Sequence, residues 1–172
     1  TQGPNFMFSY LARKWNSLTT HSEINLSYFY HIFNASETIY INDYQYFYNT
    51  FKKYGLPESC LCTGYGLAES VVYVCDTFQK CSQNYVTVDV LMLKDGKIKL
   101  SESGKKIASC GKPPIDSNIS IICVTDNQIL PELCIGEIHV SSPSIPDNLL
   151  KININNRKYV STGDLGFMYK DD

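Results

Sequence analysis

Three short segments set small and acidic residues on turns: residues 34–38 (NASET), 64–69 (GYGLAE) and 161–166 (STGDLG). The second of them opens like a dinucleotide fingerprint, but Glu69 stands where the third glycine belongs, so the close helix approach of that motif is lost and a Rossmann site is disfavoured. What the loop does offer is a run of accessible backbone amides, the aromatic face of Tyr65 and the carboxylate of Glu69, parts suited to a planar base beside a metal-bound phosphate. In the third segment Thr162 and Asp164 flank Gly163. A carboxylate there can accept both hydroxyls of a ribose, as acidic residues do in nucleotide sites; it can equally mark a strand-to-turn transition held by an Asx bond. Taken singly, the second and third segments each read more simply as an ordinary turn.

Other chemistries are poorly served. The seven cysteines (Cys60, Cys62, Cys75, Cys81, Cys110, Cys123 and Cys134) include no Cys-x2-Cys pair, and an odd count argues against a closed disulfide framework; most of them read as small buried apolar residues in a reducing compartment. His21, His31 and His139 are far apart in sequence, so a metal centre built from them is not expected. Fifteen basic against seventeen acidic residues give a net charge of −2, which lacks the electrostatic footprint of a nucleic-acid or anionic-membrane binder. Lys94, Lys97, Lys99, Lys105 and Lys106 are diluted by Asp95 and Glu102 and read as solvated hairpin edges. No apolar run approaches the roughly 18 residues of a membrane span, and residues 1–10 lack the charged start and apolar stretch of a signal peptide, so a cytoplasmic setting is expected.

The elements that must position these turns change character along the 172 residues, of which 44% are apolar and 19% charged. Pro4, with Phe6, Met7, Tyr10, Leu11 and Trp15 on one side, predicts a helix over 4–16. The aromatic and β-branched run 27–33 predicts a buried strand ending at Asn34. Asn42 with Gln45 suggests a capping box for a second helix whose stripe of Tyr44, Phe47, Tyr48, Phe51 and Tyr54 is core packing. A short strand at 60–63 leads into the GYGLAE loop. Beyond residue 80 the rhythm is β-rich: alternation over 86–93 and an Asp95-Gly96 turn predict a hairpin returning at 97–100, with further strands at 117–124, 137–141 and 159–162 and a turn at Asp126-Asn127. The expected architecture is α/β, with a β/α layered portion over residues 1–80 and a β-rich, barrel-like portion over 81–172.

In order, spacing and flanks, six segments together resemble one family. Gly3-Pro4-Asn5-Phe6 is similar to the GPNF helix start of the fatty acyl-AMP ligases, a branch of the adenylate-forming superfamily, and residues 34–38 are similar to its NGAEP turn. Residues 65–69 resemble its YGLAE motif, with Ala68 where other branches carry threonine. Ser109-Cys110-Gly111-Lys112-Pro113 is similar to SCG-x-P, Gly136-Glu137-Ile138 to the GEI strand, and residues 162–166 to TGDLG. The likeness runs from Gly3 to Gly166. Three positions depart from the pattern: Ala35 and Thr38 replace the glycine and proline of the first turn, and Ser161 replaces the arginine before TGD. No GYW occurs between residues 140 and 161.

The resemblance implies a role for each matching residue. Tyr65 would stack on adenine, and Ser36 and Glu37 would line the edge of the base. Gly66, Leu67 and Ala68 would pass close to the nucleotide, Glu69 would hold magnesium, and Asp164 would bind the ribose. Phe6 and Tyr10 would face an acyl tunnel. It implies ATP and Mg2+ as cofactors, a fatty acid as substrate, and an acyl carrier protein or a polyketide or nonribosomal peptide synthase carrier domain as partner, with no nucleic acid and no membrane span. The stretch 86–100 falls where acyl-AMP ligases carry an insertion that separates them from acyl-CoA ligases. Neither the phosphate loop nor the catalytic lysine of the superfamily has a counterpart here, so the expectation is the central portion of a longer enzyme, inactive alone. The alternatives are an acyl-CoA ligase of the same superfamily and a degenerate adenylate-binding module.

Overall fold

The computed structural model of the chain describes residues 1–20, 23–78, 85–149 and 151–170. They fall into two compact units: Thr1–Tyr65, Asp76–Val86 and Lys106–Gly111 form the first, and Gly66–Cys75, Thr87–Lys105 and Lys112–Asp172 the second. His21 and Cys81 lie outside the described residues.

The first unit is a small β/α layer. Strands β1 (Gln2–Gly3), β2 (Ile32–Asn34), β3 (Leu61–Tyr65) and β4 (Cys75–Asp76) form a sheet in that order, with β1, β2 and β3 parallel. Helix α1 (Asn5–Asn16) follows Pro4, whose fixed φ suits a helix start. Helix α2 (Ile41–Phe51) buries Tyr44, Phe47 and Phe51 against Phe8 and Ala12 of α1, with Ile32, Leu56, Cys60 and Leu61 completing the core. The Phe8 ring lies 4.6 Å from that of Tyr44 and 5.2 Å edge-on from that of Phe47. The aromatic stripe is therefore core, as its spacing predicts. Tyr44 also fastens helix to sheet: its hydroxyl reaches the carbonyl of Ile32 at 2.7 Å and that of Cys62 at 3.2 Å.

The second unit is an antiparallel sheet in the order β7-β8-β10-β9, built from β7 (Asn118–Ile122), β8 (Gly136–Ser141), β9 (Ile152–Ile154) and β10 (Arg157–Gly166). Ile121, Ile122, Val140, Tyr159 and Val160 are buried. The predicted Asp126-Asn127 turn forms, with Asn127 at φ +58° and the Cys123 amide donating to the Gln128 carbonyl at 2.9 Å. Asn155 and Asn156, both left-handed, close the β9–β10 hairpin, a turn chemistry that favours asparagine.

Three predicted elements come out differently. The strand expected over 27–33 is only Ile32–Asn34, because the Asn25 side chain accepts from the Ser27 amide and hydroxyl and turns the chain. Tyr28 is accordingly 88% exposed, not buried. No capping box forms at Asn42: the cap position of α2 falls two residues earlier, at Tyr40, which makes no side-chain cap, and the Tyr40 amide donates to Asn5 Oδ1 at 3.0 Å. The 86–100 hairpin is broken at Asp89, whose carboxylate accepts from the Leu91 and Met92 amides and starts a short helix, α3 (Val90–Lys94). Strand β5 (Tyr85–Val88) pairs instead with β6 (Lys105–Ala108), and only Val88 bridges to Leu100. No described helix is long and apolar enough to cross a membrane.

Two side chains dominate the first unit, and both are testable. Asn5 is 2% exposed; its Nδ2 donates to Asp43 at 2.9 Å, and its Oδ1 accepts from Asn34 at 3.1 Å as well as from Tyr40. Asn5→Leu leaves all three partners unmet and is expected to cost about 2–4 kcal/mol in urea unfolding. A cost below about 0.5 kcal/mol would show that the amide holds nothing. Burial, reinforced by Cys62 and Cys60, raises the Tyr44 phenol above its ordinary 10.0. A raised folded value means its contribution is complete below pH 10 and is lost as pH rises beyond it. Stability therefore falls in that alkaline range, and in Tyr44→Phe, which loses about 1 kcal/mol at neutral pH, the alkaline decline is shallower; equal slopes for the two proteins would contradict this.

Candidate functional site

The start of α1 and the NASET turn are one knot. Gly3 O accepts from the Ala35 amide at 3.3 Å, Asn5 holds Asn34 and Tyr40, and the Phe6 amide donates to Glu37 Oε1 at 2.6 Å. Pro4 offers no side-chain cap, so Glu37 caps the helix from outside, and its charge suits the positive helix end. Ser36 sits at φ +75°, a left-handed conformation that non-glycine residues adopt at a cost. Ser36, Glu37 and Thr38 are exposed. Around the knot Asn5, Phe6, Ser9, Arg13, Glu37 and Asp43 line a cleft of about 480 Å³. Phe6 thus stands at this cleft, whereas Tyr10 projects from the same helix, 48% exposed, with Lys14 Nζ 5.8 Å from its ring centre. A second, apolar cavity of about 320 Å³ lies under α1, between Met7, Phe8, Leu11, Ile24, Leu26 and Phe29.

Strand β3 carries Tyr65 to its end, half-buried. The strand end is braced by threonines: the Thr63 amide donates to Thr77 Oγ1 at 2.9 Å, Thr77 N–H returns to the Thr63 carbonyl at 2.9 Å, and Thr63 Oγ1 donates to the Ser109 carbonyl at 2.7 Å. The Ser109 hydroxyl accepts from the Gly111 amide at 2.9 Å. Gly111, at φ +77°, passes so near the Asp76 carbonyl that a Cβ would lie 1.8 Å from it. Burial pushes the Cys110 thiol up to about 11, so this cysteine is a poor nucleophile at neutral pH.

In the second unit residues 66–72 form a tight loop. Leu67 accepts from the Ser70 and Val72 amides, and Ala68–Ser70 is a single 3-10 turn that leaves Glu69 exposed. A Cβ on Gly66 would lie 1.9 Å from the Val72 carbonyl, so the glycine is needed by the loop itself. Val71 and Val72 follow at φ +51° and +66°. Two successive β-branched residues in the left-handed region are strained by about 1–3 kcal/mol each. Such strain is stored where a backbone shape is required. Among the described residues no group of three or more His, Cys, Asp or Glu side chains converges on a metal position. A lone carboxylate at Glu69 fits Mg2+ held mainly by phosphate oxygens and water, the usual arrangement for that ion, rather than a preformed protein cage.

Asp164 stands exposed on β10, inside an irregularity between Ser161 and Leu165. Thr162 Oγ1 donates to the Ile138 carbonyl at 2.8 Å and accepts from the Asp164 amide at 3.2 Å. Gly163, at φ +78°, donates to Glu137 Oε1 at 3.0 Å, and Ser161 Oγ donates to the same oxygen. The Ser161 hydrogen bond first, then those of His139 and Gly163, hold the Glu137 carboxyl below its usual range against the opposing effect of burial.

The structure thus brings Phe6 and Glu37 into direct contact and gathers Gly66, Leu67, Ala68 and Glu69 into one loop. Sequence reasoning passed over the residues that hold these turns. Asn5 was visible as the third letter of GPNF, and Glu137 as the second of GEI, but a motif letter does not show that the amide of one is buried and bonded or that the carboxylate of the other is bonded across the sheet. Thr63 and Thr77 carry no signal in sequence beyond their burial-compatible size.

No protein-family model matches the chain. The long-chain-fatty-acid–AMP ligase FadD32 of Mycolicibacterium smegmatis is 28% identical over 98% of this chain, which covers 31% of that protein. The crystal structure of a fatty acyl-adenylate ligase from Legionella pneumophila, in complex with acyl adenylate and pyrophosphate, superposes with a TM-score of 0.84 at 23% identity, covering 99% of this chain and 32% of its own. The adenylation domain of a keto acid-selecting nonribosomal peptide synthetase module, bound to keto acyl adenylate, gives 0.85 at 20% identity, with 99% and 33% coverage. The chain therefore spans about a third of the length of the relatives it matches. It has the fold of that third of an adenylate-forming ligase, and its likeness to the fatty acyl-AMP ligases runs through sequence and fold alike.

Proposed function

We propose that the chain is part of a ligase that activates a fatty acid with ATP, forming the acyl-adenylate and releasing pyrophosphate, and that delivers the acyl group to an acyl carrier protein or a synthase carrier domain. The observation that carries this reading is the knot at the start of α1. It ties the helix that the resemblance assigns to the acyl chain directly to the turn that it assigns to the adenine, through the Phe6–Glu37 and Asn5–Tyr40 hydrogen bonds.

In adenylation a carboxylate oxygen bonds to the α-phosphorus while the bond to the β-phosphate oxygen breaks. Catalysis is then mainly positioning and charge stabilisation. Each residue here has a positioning task. Tyr65 stacks on the base, the backbone around Ser36 and Glu37 lines its edge, and Asp164 accepts from the ribose hydroxyls. The strained loop beginning at Gly66 sets its amides near the phosphates, and Phe6 and Tyr10 border the acyl chain. Bound at Glu69, Mg2+ supplies charge neutralisation to the phosphate oxygens. The superfamily's lysine and phosphate loop have no counterpart among the residues described, so the 172 residues position substrates without completing the reaction. The setting is taken to be cytoplasmic.

Three measurements test this. Incubated with ATP, Mg2+ and a long-chain fatty acid, the 172-residue chain is expected to release no pyrophosphate above the blank. In the longer protein, Tyr65→Ala is expected to raise the ATP KM about tenfold, the loss of one base–aromatic stack, while leaving the fatty-acid KM within twofold. Acyl transfer to a carrier domain but not to free coenzyme A supports the carrier reading; efficient thioester formation with coenzyme A replaces it with the acyl-CoA ligase alternative. An unchanged ATP KM in Tyr65→Ala would remove the adenine assignment.

A further inference from the structure

The register of β10 against β8 isolates an unusual local problem. Ser161 lies opposite His139 and Leu165 opposite Glu137, so Thr162, Gly163 and Asp164 face Ile138 alone. Two residues are extra. A loop-out of that size loses ladder hydrogen bonds, and the amides and carbonyls it frees need other partners. Thr162 meets part of that need by bridging the Ile138 carbonyl and the Asp164 amide. The rest falls to a side chain on the facing strand. Glu137 Oε1 accepts from the Gly163 amide and the Ser161 hydroxyl, and Oε2 lies 3.1 Å from His139 Nε2.

His139 is 3% exposed, and its Nδ1 is buried without a hydrogen-bond partner. A ring proton on Nε2 satisfies Glu137 and leaves only a lone pair buried at Nδ1, the less costly arrangement. Both carboxylate oxygens are thus engaged, and the Glu137 carboxyl is held below its ordinary range, as a group gripped in its charged form should be. Ser161 occupies the position where the resemblance has arginine. Its hydroxyl, bonded to Glu137, binds the bulge to β8 with a neutral donor.

We propose that Glu137 is a positioning residue for nucleotide recognition: its carboxylate substitutes for the missing ladder partners and fixes the bulge so that Asp164 presents its carboxylate to the ribose. This rests on the ribose assignment of Asp164 and adds to it the group that sets the geometry. A purely structural Glu137 would affect folding or all substrates alike. A positioning Glu137 affects ribose discrimination in particular.

The test is the ratio of kcat/KM for ATP to that for 2′-deoxy- and 3′-deoxy-ATP, measured in the longer protein together with the fatty-acid KM and thermal stability. The native protein and Glu137→Gln, which keeps a carbonyl oxygen for Ser161 and Gly163, are expected to prefer ATP about tenfold or more. Glu137→Ala is expected to lower that preference to within about threefold with the fatty-acid KM unchanged. If Glu137→Ala does not fold, Ser161→Ala serves in its place and is expected to reduce the preference by a smaller factor. Asp164→Ala separates the two ideas. If it keeps the native preference, the ribose assignment fails. If it loses the preference while Glu137→Ala, or Ser161→Ala in its stead, retains it in full, the ribose assignment stands and the positioning role of Glu137 is overturned.

Discussion

The first unit depends on a buried amide. Asn5, itself 2% exposed, makes three hydrogen-bonding contacts that reach two other segments: β2 through Asn34, and the start of α2 through Tyr40 and Asp43. Burying such a group without partners costs more than a paired one contributes, so the three segments must arrive together or not at all. Because Asn5 is also the first residue of α1, the helix inherits its orientation from that requirement. The packing of Phe8 on Tyr44 and Phe47 then follows from a placement already set by polar groups.

The second unit solves a related problem on a sheet. A loop-out in β10 frees backbone groups, and Glu137 and Thr162 take them up from within the sheet. In both units a turn bearing candidate chemistry is held by a side chain from a different element: Glu37 caps α1, Asn5 holds the α2 entry, and Glu137 grips the Asp164 bulge. The residues that touch a ligand in the proposed reading are exposed or half-buried, while Asn5 and Glu137, which shape the turns, are tied by hydrogen bonds to other segments. Strain follows the same division. Ser36, Val71 and Val72 hold left-handed conformations that nothing in their side chains favours, so their surroundings must impose them.

That division explains what the sequence disclosed. The second helix was legible because Tyr44, Phe47 and Phe51 repeat at helical spacing and meet in one core, whereas on α1 the expected stripe leaves Phe6, Tyr10 and Leu11 exposed and Phe8 and Ala12 form the buried face. Strands at 117–124 and 137–141 were legible from β-branched runs and turn residues. Where a single polar side chain redirects the backbone, periodicity misled: Asn25 cut the 27–33 strand short, and Asp89 turned the second half of an alternating run into α3. The capping box at Asn42 failed for a tertiary reason, since Asn5 of another helix already held the Tyr40 amide. Motif letters located the candidate turns, but the partners of Asn5 and Glu137 are fixed by pairing between segments tens of residues apart, which spacing does not report.

The departures from the family pattern are best weighed by what holds the backbone at each. At Ala35 the amide bonds to the Gly3 carbonyl and the side chain is buried, so the turn is anchored without the flexibility of the usual glycine, and Ser36 takes the left-handed conformation next to it. At Thr38 no fixed proline φ constrains the approach to α2; the Asn5 contact to Tyr40 does so two residues later. At Ser161 a hydroxyl engages Glu137 in place of a guanidinium. The exchange matters electrostatically. A charged arginine beside Glu137 would neutralise its carboxylate, whereas a serine leaves the negative charge to be balanced by amide, hydroxyl and imidazole donors alone. Each departure thus changes which group holds a turn while leaving the turn held, and that is the physical basis on which the substitutions are compatible with the proposed nucleotide-binding role.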